Sequence, residues 1–202
     1  LTEALKHCFT VFVQLAQSRK ETDMSEIFMI SDTHFGDNGA ILRYEGRPFK
    51  NGPEMDGTLI ANWNRTVKKE DVVYHLGDVA WNMDKEALKA LISGLNGRKI
   101  LVMGNHDRNF TVREWMETGF EEVYSLPVVL EGFFMLSHEP MYVNSYSPYG
   151  NIFGHVHGNP MYRDKSSHSF CACVERIGYT PVQFEKIKNE MSREQRLEAA
   201  ET

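Results

Sequence analysis

Cysteine is scarce: three residues in a chain of 202, at positions 8, 171 and 173. An odd count without framework spacing excludes a disulfide-stapled secreted scaffold and reads as reduced thiols in a cytoplasmic protein. Cys171 and Cys173 share one strand-like stretch and are expected to point to opposite faces; as a C-x-C metal pair they lack a second half. No apolar run approaches the ~20 residues of a membrane helix, so no membrane association is expected. Clustered positive charge is also missing. Lys68-Lys69 and Arg98-Lys99 are short pairs in a chain of formal net charge -6. Extended nucleic-acid binding is therefore not expected, because phosphate-backbone affinity comes mainly from grouped Lys and Arg. Bound cations could still create a local positive site. Neither repeats nor low-complexity blocks interrupt the chain, and 42% apolar residues can build one sizeable core.

The N-terminus stands apart. Residues 5–16 (LKHCFTVFVQLA) have the look of a short signal h-region, but Gln14 interrupts them and the basic flank is meagre. Met24 opens MSEIFMISDTH, which reads as a natural start just before a first strand. Residues 1–23 are thus expected to be an upstream extension, with Leu5, Phe9, Phe12 and Ala16 on one helical face. Residues 24–202 read as a single domain.

Within that domain the first half reads βαβαβ. Strands are expected at Ile27–Ser31, Val72–His75 and Ile100–Met103. Helices are expected over Glu54–Val67 and Asp84–Ser93, with Asp84 as a cap, and a short one over Thr111–Glu117 capped by Thr111. After Ser125 short strand candidates follow one another: Val128–Leu130, Phe133–Ser137, Asn151–Phe153, Phe170–Glu175 and Val182–Phe184. The tail Glu185–Thr202 is charged and helix-prone. This is an α/β layered pattern with more than one sheet or a mixed sheet, and ligands in such folds sit at the carboxyl ends of strands.

Polar clusters fall at those ends. Asp32-Thr33-His34 follows IFMIS and Gly77-Asp78 follows VVYHL. Gly104-Asn105-His106-Asp107 follows KILVM, Ser137-His138 follows FFML, and Gly154-His155-Val156-His157 follows NIF. Any one of these alone is a turn or a satisfied histidine more often than a site. Five together point to convergent polar groups. Two Asp, one Asn and four His form an O and N donor set without thiolate, which suits Mn, Fe, Zn, Co or Ni. Seven ligands exceed one tetrahedral ion and suit two ions sharing a carboxylate, which can clamp a phosphoryl group and activate water at neutral pH.

The ordered blocks D-x-H, G-D, G-N-H-D, H and G-H-x-H resemble the calcineurin-like metallophosphoesterases, from Asp32 to His157. The chain is most similar to small stand-alone bacterial and phage-type members. It shares their D-T-H-F-G (Asp32–Gly36), R-P-F (Arg47-Pro48-Phe49) and N-W-N (Asn62-Trp63-Asn64). The resemblance implies an α/β sandwich of two mixed β-sheets flanked by helices, with two metal ions, manganese first among the candidates. Asp32, His34 and His157 would hold one ion and Asn105, His138 and His155 the other, with Asp78 between them. His106 would face the substrate and protonate the leaving oxygen. Asp107 would hydrogen-bond His106 and orient it. The glycines Gly36, Gly77, Gly104 and Gly154 would let the backbone turn sharply beside the ligands.

The resemblance implies a phosphodiesterase on a small or nucleotide-like ester. A phosphomonoesterase, a nuclease on short ends and a silent binding scaffold are the alternatives. GDVAWN lacks the arginine of the protein-phosphatase pattern G-D-x-V-D-R-G. Asp37 stands where relatives often have His; it is expected to face solvent or to add negative charge near the site. Arg43, Arg47 and Arg108 are candidates for substrate contact, and Tyr142, Tyr146 and Tyr149 for stacking. His75 reads as a core or supporting residue, and His7 and His168 as incidental.

Overall fold

A computed structural model describes residues 25–143, 149–163 and 165–200. The extension 1–23, with Cys8 and His7, lies outside them, as do Met24 and Tyr146. Among the described residues, nine strands form two mixed sheets. In the first, β1 (Ile27–Ile30), β2 (Val72–His75), β3 (Arg98–Val102) and β4 (Glu122–Tyr124) run parallel. Strand β9 (Val182–Gln183) pairs antiparallel with β1, giving the order β4-β3-β2-β1-β9. In the second, β6 (Phe134–Leu136), β7 (Gly150–Phe153) and β8 (Ser169–Cys171) are parallel and β5 (Val128–Leu130) is antiparallel, in the order β5-β6-β7-β8.

The two-residue period of the strands sorts side chains into two cores. Phe28, Ile30, Val73 and Leu101 face one way, against helices α2 (Gly52–Thr66), α3 (Lys85–Gly94) and α4 (Val112–Glu117). Met29, Leu76 and Val102 face the other way. There they meet Phe134, Leu136, Ile152 and Phe170 of the second sheet and Phe184, Ile187 and Met191 of α5 (Phe184–Ala200). Helix starts follow their capping residues. The Asn51 side chain accepts from the Glu54 amide, Asp84 from Ala87, and Thr111 forms a capping box with Glu114. No helix among the described residues is long and apolar enough to cross a membrane.

Three differences from the sequence reading bear on the site. A short helix α1 (Ala40–Glu45) and the edge strand β4 carry no periodic apolar signal of useful length. Phe170–Glu175 is not one strand. The chain leaves the second sheet after Cys171 and continues along the end of β1, where Ser31 pairs with Cys173, the Ser31 amide donates to the Ala172 carbonyl and the Val174 amide to that of Ser31. Cys171 and Cys173 do not point to opposite faces. Residues two apart on extended backbone share a face, and their Sγ atoms lie 3.3 Å apart as free, buried thiols.

Candidate metal centre and cleft

Short loops leaving the carboxyl ends of β1, β2, β3, β6 and β7 bring the five polar blocks together. The β1 and β2 loops run side by side: the Asp32, His34 and Phe35 amides donate to the carbonyls of Gly77, Asp78 and Val79. Buried Thr33 reinforces this, donating to the Val79 carbonyl and meeting His75 Nε2 at 2.9 Å. His75 is therefore a buried supporting residue, and burial lowers its pKa to about 3. The two sheets are joined at the site, since the His155 amide donates to Asp32 Oδ2 at 2.9 Å.

Eight non-glycine residues among those described have positive φ; five are Asp32, His34, Asp78, His155 and His157. Left-handed backbone costs a non-glycine residue on the order of 1 kcal/mol or more, and such strain clusters at functional sites. Here it turns each side chain off its strand end into the same space. The glycines act in two ways. Gly36 and Gly77 do have positive φ, at 79° and 91°. Gly104 and Gly154 do not, which corrects the turn explanation for them. They are needed for close approach: a Cβ at Gly104 would lie 2.3 Å from Asp78 Oδ1, and one at Gly154 2.5 Å from Ser31 Oγ.

All seven candidate ligands converge. Asp32, His34 and His157 form one group with donor atoms close enough to share a cation; Asp32, Asp78 and His138 form another. In the first, His157 Nε2 is 3.6 Å from Asp32 Oδ1, and His34 Nε2 is 3.7 Å from Asp78 Oδ2. Across Asp78, Asn105 Oδ1 lies 2.9 Å from His138 Nε2 and 3.0 Å from His155 Nδ1, with the two imidazole nitrogens 3.2 Å apart. Donors bound at ~2.1 Å around one first-row ion are separated by about 2.9–3.4 Å; the distances among Asn105, His138 and His155 fall in that range, and those of the first group are a few tenths of an ångström longer. The polar inventory fits as well. Asp32 Oδ1 and both nitrogens of His34 are buried without a hydrogen-bond partner, which costs free energy; a cation would take the lone pairs of Asp32 Oδ1 and of one His34 nitrogen, the other nitrogen carrying the N–H of the neutral ring. Burial holds the His34 pKa down at about 3, so the ring is neutral and able to ligate.

The remaining charges follow from the same packing. Burial works against ionisation of Asp78, but His138 beside it and the His106 amide leave its carboxyl well below the usual range. Burial likewise opposes charge on His138, yet Asp78, Asp32 and the Leu76 carbonyl push it up to about 9. The Leu76 carbonyl is 2.8 Å from His138 Nδ1, which leaves Nε2 for the cluster.

His106 opens a 3₁₀ turn (His106–Asn109) and lines a cleft of about 380 Å³ beside Asp78, its Nε2 3.9 Å from Asp78 Oδ2. Trp81 packs edge-on against the His106 ring at 4.7 Å between centroids. Asp107 does not touch that ring, contrary to expectation. Its carboxylate accepts from the amides of Gly104, Asp78 and Val79 at 2.7, 2.8 and 3.0 Å, tying the β2 and β3 loops together. The turn sends adjacent side chains in different directions, and burial pushes the Asp107 carboxyl up to about 6.

Three further residues differ from the sequence reading. Asp37 does not face solvent, although it is among the residues that line the cleft. It is buried and accepts from the amides of Gly39, Ala40 and Ile41, capping α1. Arg47 is not a substrate contact but a buried brace, donating to the carbonyls of Asp32 and Thr33 and to Glu175. Glu175, which no motif marks, accepts from His157 Nδ1 at 2.9 Å, so Nε2 faces Asp32. Burial opposes its charge, but His157 and Arg47 bring its pKa down to about 2. Arg43, Arg108 and Tyr142 are exposed and outside the cleft lining; Tyr149 is half-buried and also outside it. His168 pairs locally with Ser167.

Comparison with known proteins agrees with this geometry. The calcineurin-like phosphoesterase family profile matches residues 26–166. Protein MJ1445 of Methanocaldococcus jannaschii is 35% identical over 174 residues, covering 81% of this chain and 90% of its own. The gene 66 protein of Mycobacterium phage D29 is 41% identical over 87 residues, covering 42% of each chain. The crystal structure of AQ665 from Aquifex aeolicus, described as of unknown function, superimposes with a TM-score of 0.62 at 28% identity. It covers 82% of this chain and 99% of that one. The strand order, the convergent Asp and His donors and the profile match lead to one conclusion: this chain belongs to the calcineurin-like phosphoesterases, whose members use divalent metal ions.

Proposed function

We propose that the cleft hydrolyses a phosphodiester with two divalent cations, manganese first among the candidates. One would be held by Asp32, His34 and His157, the other by Asn105, His138 and His155, with Asp78 shared. The observation that carries this reading is the convergence of the seven donors, with Asp32 Oδ1 and both His34 nitrogens buried and unpartnered. When bound, the cations supply Lewis acidity toward phosphoryl oxygens and toward the attacking water. His106 hands a proton from its ring to the leaving oxygen, and Trp81 against it limits its rotation. Glu175 fixes the His157 tautomer, and Asp107 keeps the loops that carry Asp78 and Asn105 in register.

Charge favours a diester. None of the described residues lining the cleft is Lys or Arg, while Glu45 and Asp37 are among them. A dianionic monoester would find no Lys or Arg for its second charge, and a nucleic-acid backbone would find no track. The test is hydrolysis of bis-p-nitrophenyl phosphate against p-nitrophenyl phosphate by protein stripped of metal and reloaded with Mn, Ni, Co, Zn or Mg. Diester cleavage that depends on manganese, and is lost in His106→Asn at unchanged metal content, is expected. Preference for the monoester would overturn the substrate reading. Cleavage of neither ester with two metals bound would overturn the enzyme reading.

A further inference from the structure

Beside the donor cluster, the cleft has an apolar wall whose exposed part the hydrolytic reading leaves without a task. Ala40, Ile41 and Tyr44 of α1 line it, with Trp81 from the β2 loop. Positions 40, 41, 44 and 45 lie on one helical face, so one stripe of α1 is turned to the cleft and its last member is Glu45. An exposed tyrosine is ordinary by itself. Tyr44 differs in being 87% exposed at the mouth of a metal-type cleft, on a helix pinned at both ends. Asp37 holds the amides of Gly39, Ala40 and Ile41 at the start of that helix. The Glu45 carboxylate accepts from the Gly158 amide at 3.3 Å, and the Arg47 amide donates to the Leu42 carbonyl. The ring is thus presented on a rigid support, which lowers the ordering cost of binding. Trp81 is held as firmly, by the His106 ring at its edge and by its amide donating to the Phe35 carbonyl.

We infer that this wall selects the ester group: the substrate is a monoanionic phosphodiester carrying a flat aromatic ring, of the size of a nucleobase or aryl group, seated against Tyr44, Ile41 and Trp81. Aromatic side chains favour a flat π partner over a flexible alkyl chain, which would lose more rotational freedom on binding. Glu45 at the same face disfavours a second phosphate charge there. The inference rests on the phosphoesterase reading of the donor cluster.

Diphenyl, dibutyl and dimethyl phosphate share the phosphoryl monoanion and differ only in their ester groups. Their dissociation constants for the manganese-loaded protein, measured by calorimetry, test the wall without relying on turnover. Diphenyl phosphate is expected to bind roughly tenfold or more tighter than dimethyl phosphate, with dibutyl phosphate between them. Tyr44→Ala should reduce the diphenyl-to-dimethyl ratio several-fold and Tyr44→Phe should keep it. Leu126→Ala, at an exposed apolar residue outside the cleft, should leave it unchanged. Dibutyl phosphate binding as tightly as diphenyl phosphate, or a ratio unmoved in Tyr44→Ala, would overturn the aromatic wall while bis-p-nitrophenyl phosphate is still cleaved. Binding of none of the three, together with no cleavage of that ester by metal-loaded protein, would overturn the wall and the phosphoesterase reading together.

Discussion

Asp32 and His34 are buried and His157 is half-buried, whereas Asn105 is half-buried and His155 exposed, with His138 alone of those three buried. The deep group carries unpartnered polar atoms at Asp32 Oδ1 and both His34 nitrogens. In the outer group, Asn105, His138 and His155 meet one another at 2.9 to 3.2 Å. Desolvated lone pairs without partners are costly, while groups that share hydrogen bonds or face water are not. On the proposed two-ion reading, the deep group is expected to draw a cation more strongly than the outer one, although the residue types are nearly the same. Environment, rather than ligand identity, ranks the two sites.

That ranking can be broken at its shared member. Asp78→Asn removes the one charge both groups use, and diester turnover should fall on the order of 10³-fold, with metal content per chain falling below that of any single-group variant. Elemental analysis beside the kinetic assay reads both. The ranking is sharpened by chelator titration followed by thermal unfolding. The outer ion should leave first with little change in Tm, and the deep ion second with most of the loss. A site filled at 100 times its Kd contributes about 2.7 kcal/mol. Simultaneous loss, or loss of the deep ion first, would contradict the burial argument.

Smaller effects follow from the supporting residues. Glu175→Gln should weaken deep-site affinity roughly 10- to 100-fold and leave the outer site nearly unchanged, because Glu175 touches only His157 of the ligands. The pH response distinguishes the groups in the other direction. His138, raised to about 9, is protonated in metal-free protein near neutrality, whereas His34, lowered to about 3, is not. Filling the outer site must therefore expel a proton. Its affinity should rise about tenfold per pH unit up to roughly pH 9 and then level off, while no such dependence comes from His34. Proton release in weakly buffered solution during manganese titration measures this directly.

Much of the site could be read from the chain because each ligand block follows an apolar strand run. Strand length and the turn after it fix where Asp32, Asp78, Asn105, His138 and His155 emerge, and those signals are local. Asp107 shows the limit of adjacency. It is next to His106 in sequence, but a 3₁₀ turn aims its carboxylate at three backbone amides. Asp37 and Arg47 look like surface charges beside a site, yet one caps α1 and the other braces the Asp32 loop.

By itself the sequence determined the candidate donors, the strand ends they follow and an α/β class with more than one sheet or a mixed sheet, because periodicity and turn chemistry act over a few residues; the two-sheet sandwich was implied by the family resemblance. Only the tertiary structure decided the rest. The crossing of the chain from β8 to the end of β1 carries it on to Glu175, which stands behind His157, 18 residues after it in sequence. Packing sets Trp81 against His106 and turns one face of a six-residue helix into a cleft wall. Burial makes His34 a neutral ring, while Asp78, Asp32 and the Leu76 carbonyl raise His138 against its own burial, and desolvation and neighbouring charge exist only once the chain has folded.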